Sequence, residues 1–365
     1  MKNILLIARD PGATQLLILF AQFLEQNSVH FRFIARGPAE TLLKKHRIDF
    51  KPFPTTTFAR IRQEILDFQP SFVITGTSLK DRLEVKFIRE AKKLGIQVLS
   101  VIDWWTSFKE RFQLNGKLVL PDYVVVIDEY SADICEKLFN GRVKIIIGGH
   151  PYLCRLKERR IVSASREELM KKYDLVPLWR TILFLAEPLD GYVRFDQFKI
   201  FNHICKEIGN VCKKYKKNFN LIIKFHPNGE KELIYRRYKK ISDFLRNYCR
   251  IVFVKKEYNV QELISISDYI WGMNTTPLLE ALLMGKQVSS FLHNGIDFEG
   301  IPFMKSAGFC QSCNYFYEYR NTIENLLTDE NFVRKVLKRQ KRYRLPKDKF
   351  CEKLFDKIIR EGIYG

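Results

Sequence analysis

The sequence predicts an α/β protein built from two tandem, doubly wound parallel-sheet domains. Three observations predict it. Short, nearly continuous apolar runs rich in Ile, Val and Phe alternate with amphipathic stretches of helical period, the pattern of strands buried on both faces and joined by helices. That pattern stops at a polar, charged stretch, 157–172, and then restarts. The chain has 365 residues, too many for one ordinary domain of roughly 100–200 residues.

In order, strands are expected at 3–8, 30–35, 72–75, 97–102, 123–127 and 143–147. A turn at 10–12 leads into a helix through about residue 25, and further helices fall at 83–94 and 130–138. After the restart, strands are expected at 181–186, 220–225, 251–254, 269–272 and 287–291, with helices at 198–215, 233–248 and 260–266. The segment 322–363 reads as helix only. These runs give an N-terminal domain over 1–155, a linker over 156–177, a second domain over 178–330 and C-terminal helices over 331–365. Ligands in such sheets bind at the carboxyl ends of strands, and two facing sheets leave a cleft between them.

A hydrophobic content of 46% builds real cores and argues against disorder. The most apolar region, 4–24, is interrupted by Arg9, Asp10 and Pro11. It reads as strand, turn and helix, not as a signal peptide or a membrane span, and a cytoplasmic location is expected. The eight cysteines are then expected as reduced thiols. Cys310 and Cys313 form one CxxC, with no second ligand pair at zinc spacing, so no metal site is expected. The formal charge of +21, with basic clusters at 213–217, 236–240 and 334–349, fits an anionic membrane face, an acidic substrate or nucleic acid. Nucleic acid is disfavoured, because no recognised binding module is present and aromatics do not interleave with the basic clusters.

Five segments could carry chemistry. Trp271-Gly272-Met273-Asn274-Thr275-Thr276-Pro277 ends a strand and opens a helix closed by Gly285. With Pro277 in the first helical position and Thr276 as N-cap, free amides and two threonine hydroxyls form an anion site. Glu280 falls too late for a capping box, which leaves it to accept hydrogen bonds from ribose hydroxyls or to sit as an exposed acid. Lys224-Phe225-His226-Pro227-Asn228-Gly229-Glu230 delivers His226 to a strand end, where it either donates to a phosphate, protonates a leaving group or simply bonds a carbonyl. Gly148-Gly149-His150-Pro151 closes the first domain, as a cleft-lining hinge or an ordinary turn. Arg9-Asp10-Pro11-Gly12 follows the first strand. Asp10 there is either a general base oriented by Arg9 or the start of a turn, and no GxGxxG accompanies it. Asp103-Trp104-Trp105, with Arg111 beyond, suits sugar recognition, the core being the competing place for at least one ring.

These segments resemble those of GT-B glycosyltransferases, whose fold is a pair of Rossmann-like domains. Gly149-His150-Pro151 looks like the domain junction of lipid A disaccharide synthase. Lys224-Phe225-His226-Pro227 is similar to the His-Pro motif of bacterial sialyltransferases, polysialyltransferases and CDP-glycerol glycerophosphotransferases. Asn274-Thr275-Thr276 resembles their phosphate-holding Ser/Thr pair, and the segment from Glu280 to Val288 resembles the helix closing on the ribose. No Asp-Asp-Gly or Glu-Asp-Gly element is present, and Asp190-Gly191 only echoes it. The resemblance implies a transferase that needs no metal or other cofactor and uses a nucleotide-sugar donor, with a glycan or lipid-linked acceptor, peripheral on the inner membrane face. Donor phosphate would be held by His226, Asn274, Thr275 and Thr276, with Glu280 at the ribose. Asp10 is the preferred base and His226 its partner in catalysis, while Arg9, Asp103, Trp104, Arg111 and His150 would meet the acceptor. A UDP-sugar 2-epimerase, whose characteristic acids are not found here, and a CDP-glycerol-type transferase are the enzymatic alternatives. A nucleic-acid-binding protein is the alternative of another class.

Overall fold

The computed structural model describes residues 3–158, 162, 164–187, 196–226, 232–255, 258–293, 308–346 and 349–361, the side chains at 155, 157–158 and 357–361 excepted. The chain divides into two compact units, Met1–Cys154 with Leu345–Gly365, and Arg155–Arg344.

Unit 1 runs β1 (Ile4–Ala8), α1 (Pro11–Gln26), β2 (Phe31–Ala35), α2 (Pro38–His46), β3 (Lys51–Pro52), α3 (Phe58–Phe68), β4 (Phe72–Thr75), α4 (Leu83–Lys93), β5 (Gln97–Val101), β6 (Gln113–Leu114), β7 (Lys117–Leu118), β8 (Tyr123–Val126), α5 (Glu129–Phe139) and β9 (Lys144–Ile147). α6 (Pro151–Glu158) follows and leads into unit 2. Among the described residues the sheet order is β3-β2-β1-β4-β5-β8-β9, every pair parallel. All five β1 residues are buried, as expected of a central strand covered by helices on both faces. β6 and β7 form a small antiparallel hairpin apart from this sheet.

Unit 2 runs α7 (Arg166–Lys172), β10 (Arg180–Leu185), α8 (Gln197–Tyr215), β11 (Phe219–Lys224), α9 (Glu232–Ser242), β12 (Cys249–Val254), α10 (Val260–Ile266), β13 (Tyr269–Gly272), α11 (Thr276–Leu283), β14 (Gln287–Phe291), β15 (Gln311–Cys313), α12 (Phe316–Thr328) and α13 (Glu330–Gln340). Its described strands form a second all-parallel sheet, β12-β11-β10-β13-β14-β15. The stretch expected as a linker contains α7, which a capping box between Ser165 and Glu168 starts. Cys310 and Cys313 are buried thiols, the second on β15.

The C-terminal helices do not form one block. α12 and α13 belong to unit 2, whereas α14 (Phe350–Glu361) returns to unit 1. Phe350 and Leu354 are fully buried in the unit-1 core beside Leu99, Val101, Tyr123 and Val125. The Phe355 ring meets Phe23 edge-on at 5.4 Å, and Lys353 Nζ donates to the Ile147 carbonyl. Gly148 makes the docking possible, since a Cβ there would lie 2.6 Å from Val125 and 3.2 Å from the Phe350 ring.

Candidate functional site

Each unit reverses its strand order once, and the reversal places the candidate residues. In unit 2 the chain leaves β10 for β11 and β12 on one side, then continues with β13, β14 and β15 on the other. Open α/β sheets take ligands outside the carboxyl ends of the strands that flank such a reversal. Glu187 stands two residues past β10. Its Oε1 accepts the backbone N–H of Met273 at 3.2 Å and of Asn274 at 2.6 Å, just past β13. Ser290 Oγ donates to the Met273 carbonyl at 2.5 Å. Gly272 lets the strands meet, because a Cβ there would come within 3.3 Å of Leu185. Glu187 was not among the residues expected, although an acid just past a strand end is a visible signal. Replacing it with Ala leaves two amides without their acceptor, at about 1–3 kcal/mol each. Unit 2 should lose about 2–6 kcal/mol in urea unfolding, with faster hydrogen exchange at the 273 and 274 amides. Unchanged exchange there would refute the brace.

The start of α11 differs from expectation by one residue. Thr275 (φ −93, ψ 150), not Thr276, is the N-cap, and Pro277 is the second helical residue. The Leu278 N–H closes the first turn on the Thr275 carbonyl at 3.0 Å. Thr275 makes no side-chain capping bond, so its hydroxyl is not spent on the helix. Asn274, Thr275 and Thr276 are partly exposed beside a helix N-terminus, where amides and the helix dipole favour an anion. Glu280 is corrected as well. It is 6% exposed and accepts from Gln261 Nε2 at 2.8 Å, because the helix turns its face toward α10. It is therefore neither free nor exposed.

His226 follows β11, on the far side of β10 from β13. With strands about 4.8 Å apart, it lies roughly 10 Å along the sheet edge from Asn274, with Glu187 between them. Burial, then the neighbouring Lys224 charge, push its imidazole below the ordinary value, so it is neutral near pH 7 and carries one N–H donor. Lys224 is buried and donates to the Phe225 carbonyl at 3.0 Å. Pro227, Asn228, Gly229, Glu230, Asp190 and Gly191 lie outside the described residues.

Unit 1 reverses between β1 and β4, and Arg9 and Asp10 follow β1. Arg9 Nη1 pairs with Asp10 Oδ1 at 2.5 Å, while Arg9 Nε and Arg36 Nε bind Asp81 Oδ2 at 2.9 and 3.1 Å. Asp81 is held below the usual carboxylate range by Arg9, then Arg36. Asp81 and Arg82 both take positive φ, 58° and 56°, a backbone conformation that non-glycine residues adopt at some cost. Arg111 Nη1 donates at 2.8 Å to Thr77 Oγ1 and to Asp103 Oδ1. Gly12 touches the same group: a Cβ there would lie 1.9 Å from Asp103 Oδ2. The structure thus gathers Arg9, Asp10, Thr77, Asp103 and Arg111 at one strand edge.

The two tryptophans divide. Trp105 is buried and donates from its indole N–H to Asp128 Oδ2 at 2.8 Å. Trp104 is partly exposed and meets Trp105 edge-on, with centroids 5.0 Å apart. His150 does not join Asp10. It follows the edge strand β9, four strands from β1, or about 19 Å along the sheet. Its buried Nδ1 has no hydrogen-bond partner, and burial lowers its pKa to about 4. Glu84, on the first turn of α4, was also not foreseen. It is 1% exposed, and burial pushes its carboxyl up to about 7 against the opposing pull of Ser78. The helical stripe Glu84–Ile88–Ala91, otherwise apolar, was the available signal.

No family model matches the sequence, and no curated protein matches it. Solved structures do. Staphylococcus aureus MnaA, solved with UDP, superposes with a TM-score of 0.66 at 15% identity, over 100% of this chain and 97% of that one. A glycosyltransferase from Rickettsia africae gives a TM-score of 0.67 at 15% identity, over 100% and 99%. MurG from Acinetobacter baumannii gives 0.64 at 12% identity, over 99% and 100%. The chain has the GT-B fold. Identities this low carry the GT-B architecture and not an activity. Among the described residues no group of three or more His, Cys, Asp or Glu could hold a metal ion, and no helix is long and apolar enough to cross a membrane.

Proposed function

We propose that this GT-B chain is an enzyme acting on a nucleotide sugar: a glycosyltransferase that passes the sugar to a glycan or lipid-linked acceptor. The observation that carries the reading is the Asn274–Thr275 corner, held by Glu187 at the reversal of unit 2 and opening on the N-terminus of α11. The donor diphosphate would take the α11 amides and the Thr275 and Thr276 hydroxyls, with a hydrogen bond from the His226 imidazole. These fixed donors would stabilise the negative charge that grows on the departing nucleotide, and the reading assigns that work to them rather than to a divalent ion. In unit 1, Asp10 would take the proton of the acceptor hydroxyl, with Arg9 setting its orientation. Asp103, Arg111 and Trp104 would line the acceptor's place. The basic surface fits an anionic glycan or an anionic membrane face.

UDP is the preferred nucleotide, because neighbours of the same fold were solved with UDP or UDP-GlcNAc. The test is a thermal-shift screen with UDP, CDP, GDP, TDP and CMP. UDP at a hundredfold excess over its dissociation constant should stabilise the protein by about 2.7 kcal/mol. Thr275→Ala removes one charge-assisted hydrogen bond, which should weaken UDP about tenfold. No shift with any nucleotide, or an unchanged UDP affinity in both Thr275→Ala and His226→Ala, would refute the site. A second reading, a UDP-GlcNAc 2-epimerase, is favoured by two structural neighbours described as enzymes of that kind. Product analysis separates the two: epimerised UDP-sugar without acceptor supports the second, glycosylated acceptor the first.

A further inference from the structure

Three helices cover one face of the unit-2 sheet, and their outer sides combine charge with exposed apolar groups. Phe184 and Phe291 of the sheet share a core with Phe201 on α8, Tyr238 on α9 and Tyr319 on α12. Buried residues fill the inner side of α8, which leaves Lys199, Lys206 and Lys213 exposed at intervals of seven, two helical turns apart on one line. On α9, Leu233, Arg237 and Lys240 are exposed at intervals of four and three, which puts them on one stripe. Phe244 continues that stripe on the short 3-10 helix Asp243–Asn247. Together α8 and α9 bear eight cations against two acids.

The stripe on α9 closes the seam with α8. The Arg237 guanidinium lies 4.0 Å over the Phe198 ring. Gly209 admits Phe244, since a Cβ there would lie 3.1 Å from that ring. The acids of the layer already have partners. Glu232 pairs with Arg236 at 2.9 Å, Asp243 with Arg246 at 2.8 Å and Glu324 with Lys214 at 2.7 Å, while Glu207 accepts from Asn210. Lys199, Lys206, Lys213 and Lys240 form no ion pair among the described residues. Leu233 is 77% exposed and Phe244 44%.

A single exposed leucine is ordinary. Here two exposed apolar side chains bracket unpaired cations along one stripe. That combination fits the boundary of an anionic bilayer, where lysine and arginine lay their stems along the surface with their heads at the lipid phosphates, and leucine and phenylalanine enter the acyl region. A soluble polyanion would take up the cations and leave Leu233 in water.

We propose that the α8–α9 face of unit 2 docks on an anionic lipid surface, with Lys199, Lys206, Lys213, Arg237 and Lys240 at the headgroups and Leu233 and Phe244 inserted between them. Docking does not depend on the residues assigned to the nucleotide sugar.

The test is co-sedimentation of the full chain with vesicles of phosphatidylcholine alone and of phosphatidylcholine mixed with phosphatidylglycerol. The chain should bind the mixed vesicles, leave them as salt is raised and ignore the neutral ones. Lys206→Gln, Lys213→Gln and Lys240→Gln combined should weaken binding about a hundredfold, at about fivefold per cation. Leu233→Ser should weaken it about tenfold with no change of charge. All four positions are exposed, so the variants should melt with the parent. No binding to mixed vesicles, equal binding to both kinds, or unchanged binding by the triple variant would overturn the proposal. It would also fall if the triple variant lost affinity for duplex DNA while Leu233→Ser bound vesicles fully, the mark of a polyanion site. The thermal shift with UDP is measured on the same proteins and should persist in every variant. Its absence from the parent would count against the donor site alone, because the vesicles decide the docking face.

Discussion

Glu84→Gln is expected to flatten the pH dependence of folding stability by about 3 kcal/mol. The carboxyl moves from an ordinary value of 4.5 to about 7 in the folded chain. Below the lower value both folded and unfolded states hold the proton, and burial of the group costs nothing extra. Between the two values the folded state keeps the proton while the unfolded state has lost it, so stability falls as pH rises. Above about 7 the whole cost is present, because folding must bury either a charge or a proton taken from solution. Glutamine has no proton to lose, and its amide oxygen can accept from the Ser78 hydroxyl as the Glu84 carboxyl does. Urea unfolding of the parent and the variant, compared at a series of pH values, should show the variant gaining relative stability across this window. Parallel profiles would mean that Glu84 is solvated or ionised in the fold.

The second large effect is expected at Phe350. Its side chain is fully buried, and its ring lies against the spot where Gly148 lacks a Cβ. Phe350→Ala removes a packed ring and leaves a cavity, at about 3–5 kcal/mol. Because α14 completes the core of unit 1, limited proteolysis should open unit 1 first. Stabilisation by UDP, assigned to unit 2, should survive at low temperature. A loss below about 1 kcal/mol would show that α14 is not part of the working core.

Much of this architecture was legible because parallel strands buried on both faces are continuous apolar runs. β4, β13 and β14 fall on the expected residues, and most other strands differ by a residue at an end. β3 and β15 were not legible: two- and three-residue edge strands have no run to detect. The β6–β7 hairpin had a signal that went unused, since Asn115 and Gly116 both take positive φ, as an Asn-Gly turn does. At the candidate site, Arg9–Asp10 and Asp103–Arg111 were readable as neighbours of strand ends. Glu187, Glu84 and the burial of Glu280 were harder, because each depends on a partner distant in sequence or on the rotation of one helix face. The misplaced cap at Thr276 is a boundary error of one residue, the usual uncertainty of a helix end.

The return of α14 to unit 1 also orders events during synthesis. Unit 1 is split, with about 190 residues between its two pieces. At roughly 5–20 residues per second, the ribosome needs on the order of 10–40 s to pass from one piece to the next. Throughout that interval the groove around Gly148 and Val125 has no Phe350 to fill it, while unit 2 gains its last described strand, β15, before Phe350 is made. The later-encoded unit is thus able to mature first. The earlier one keeps an incomplete core until α14 is made.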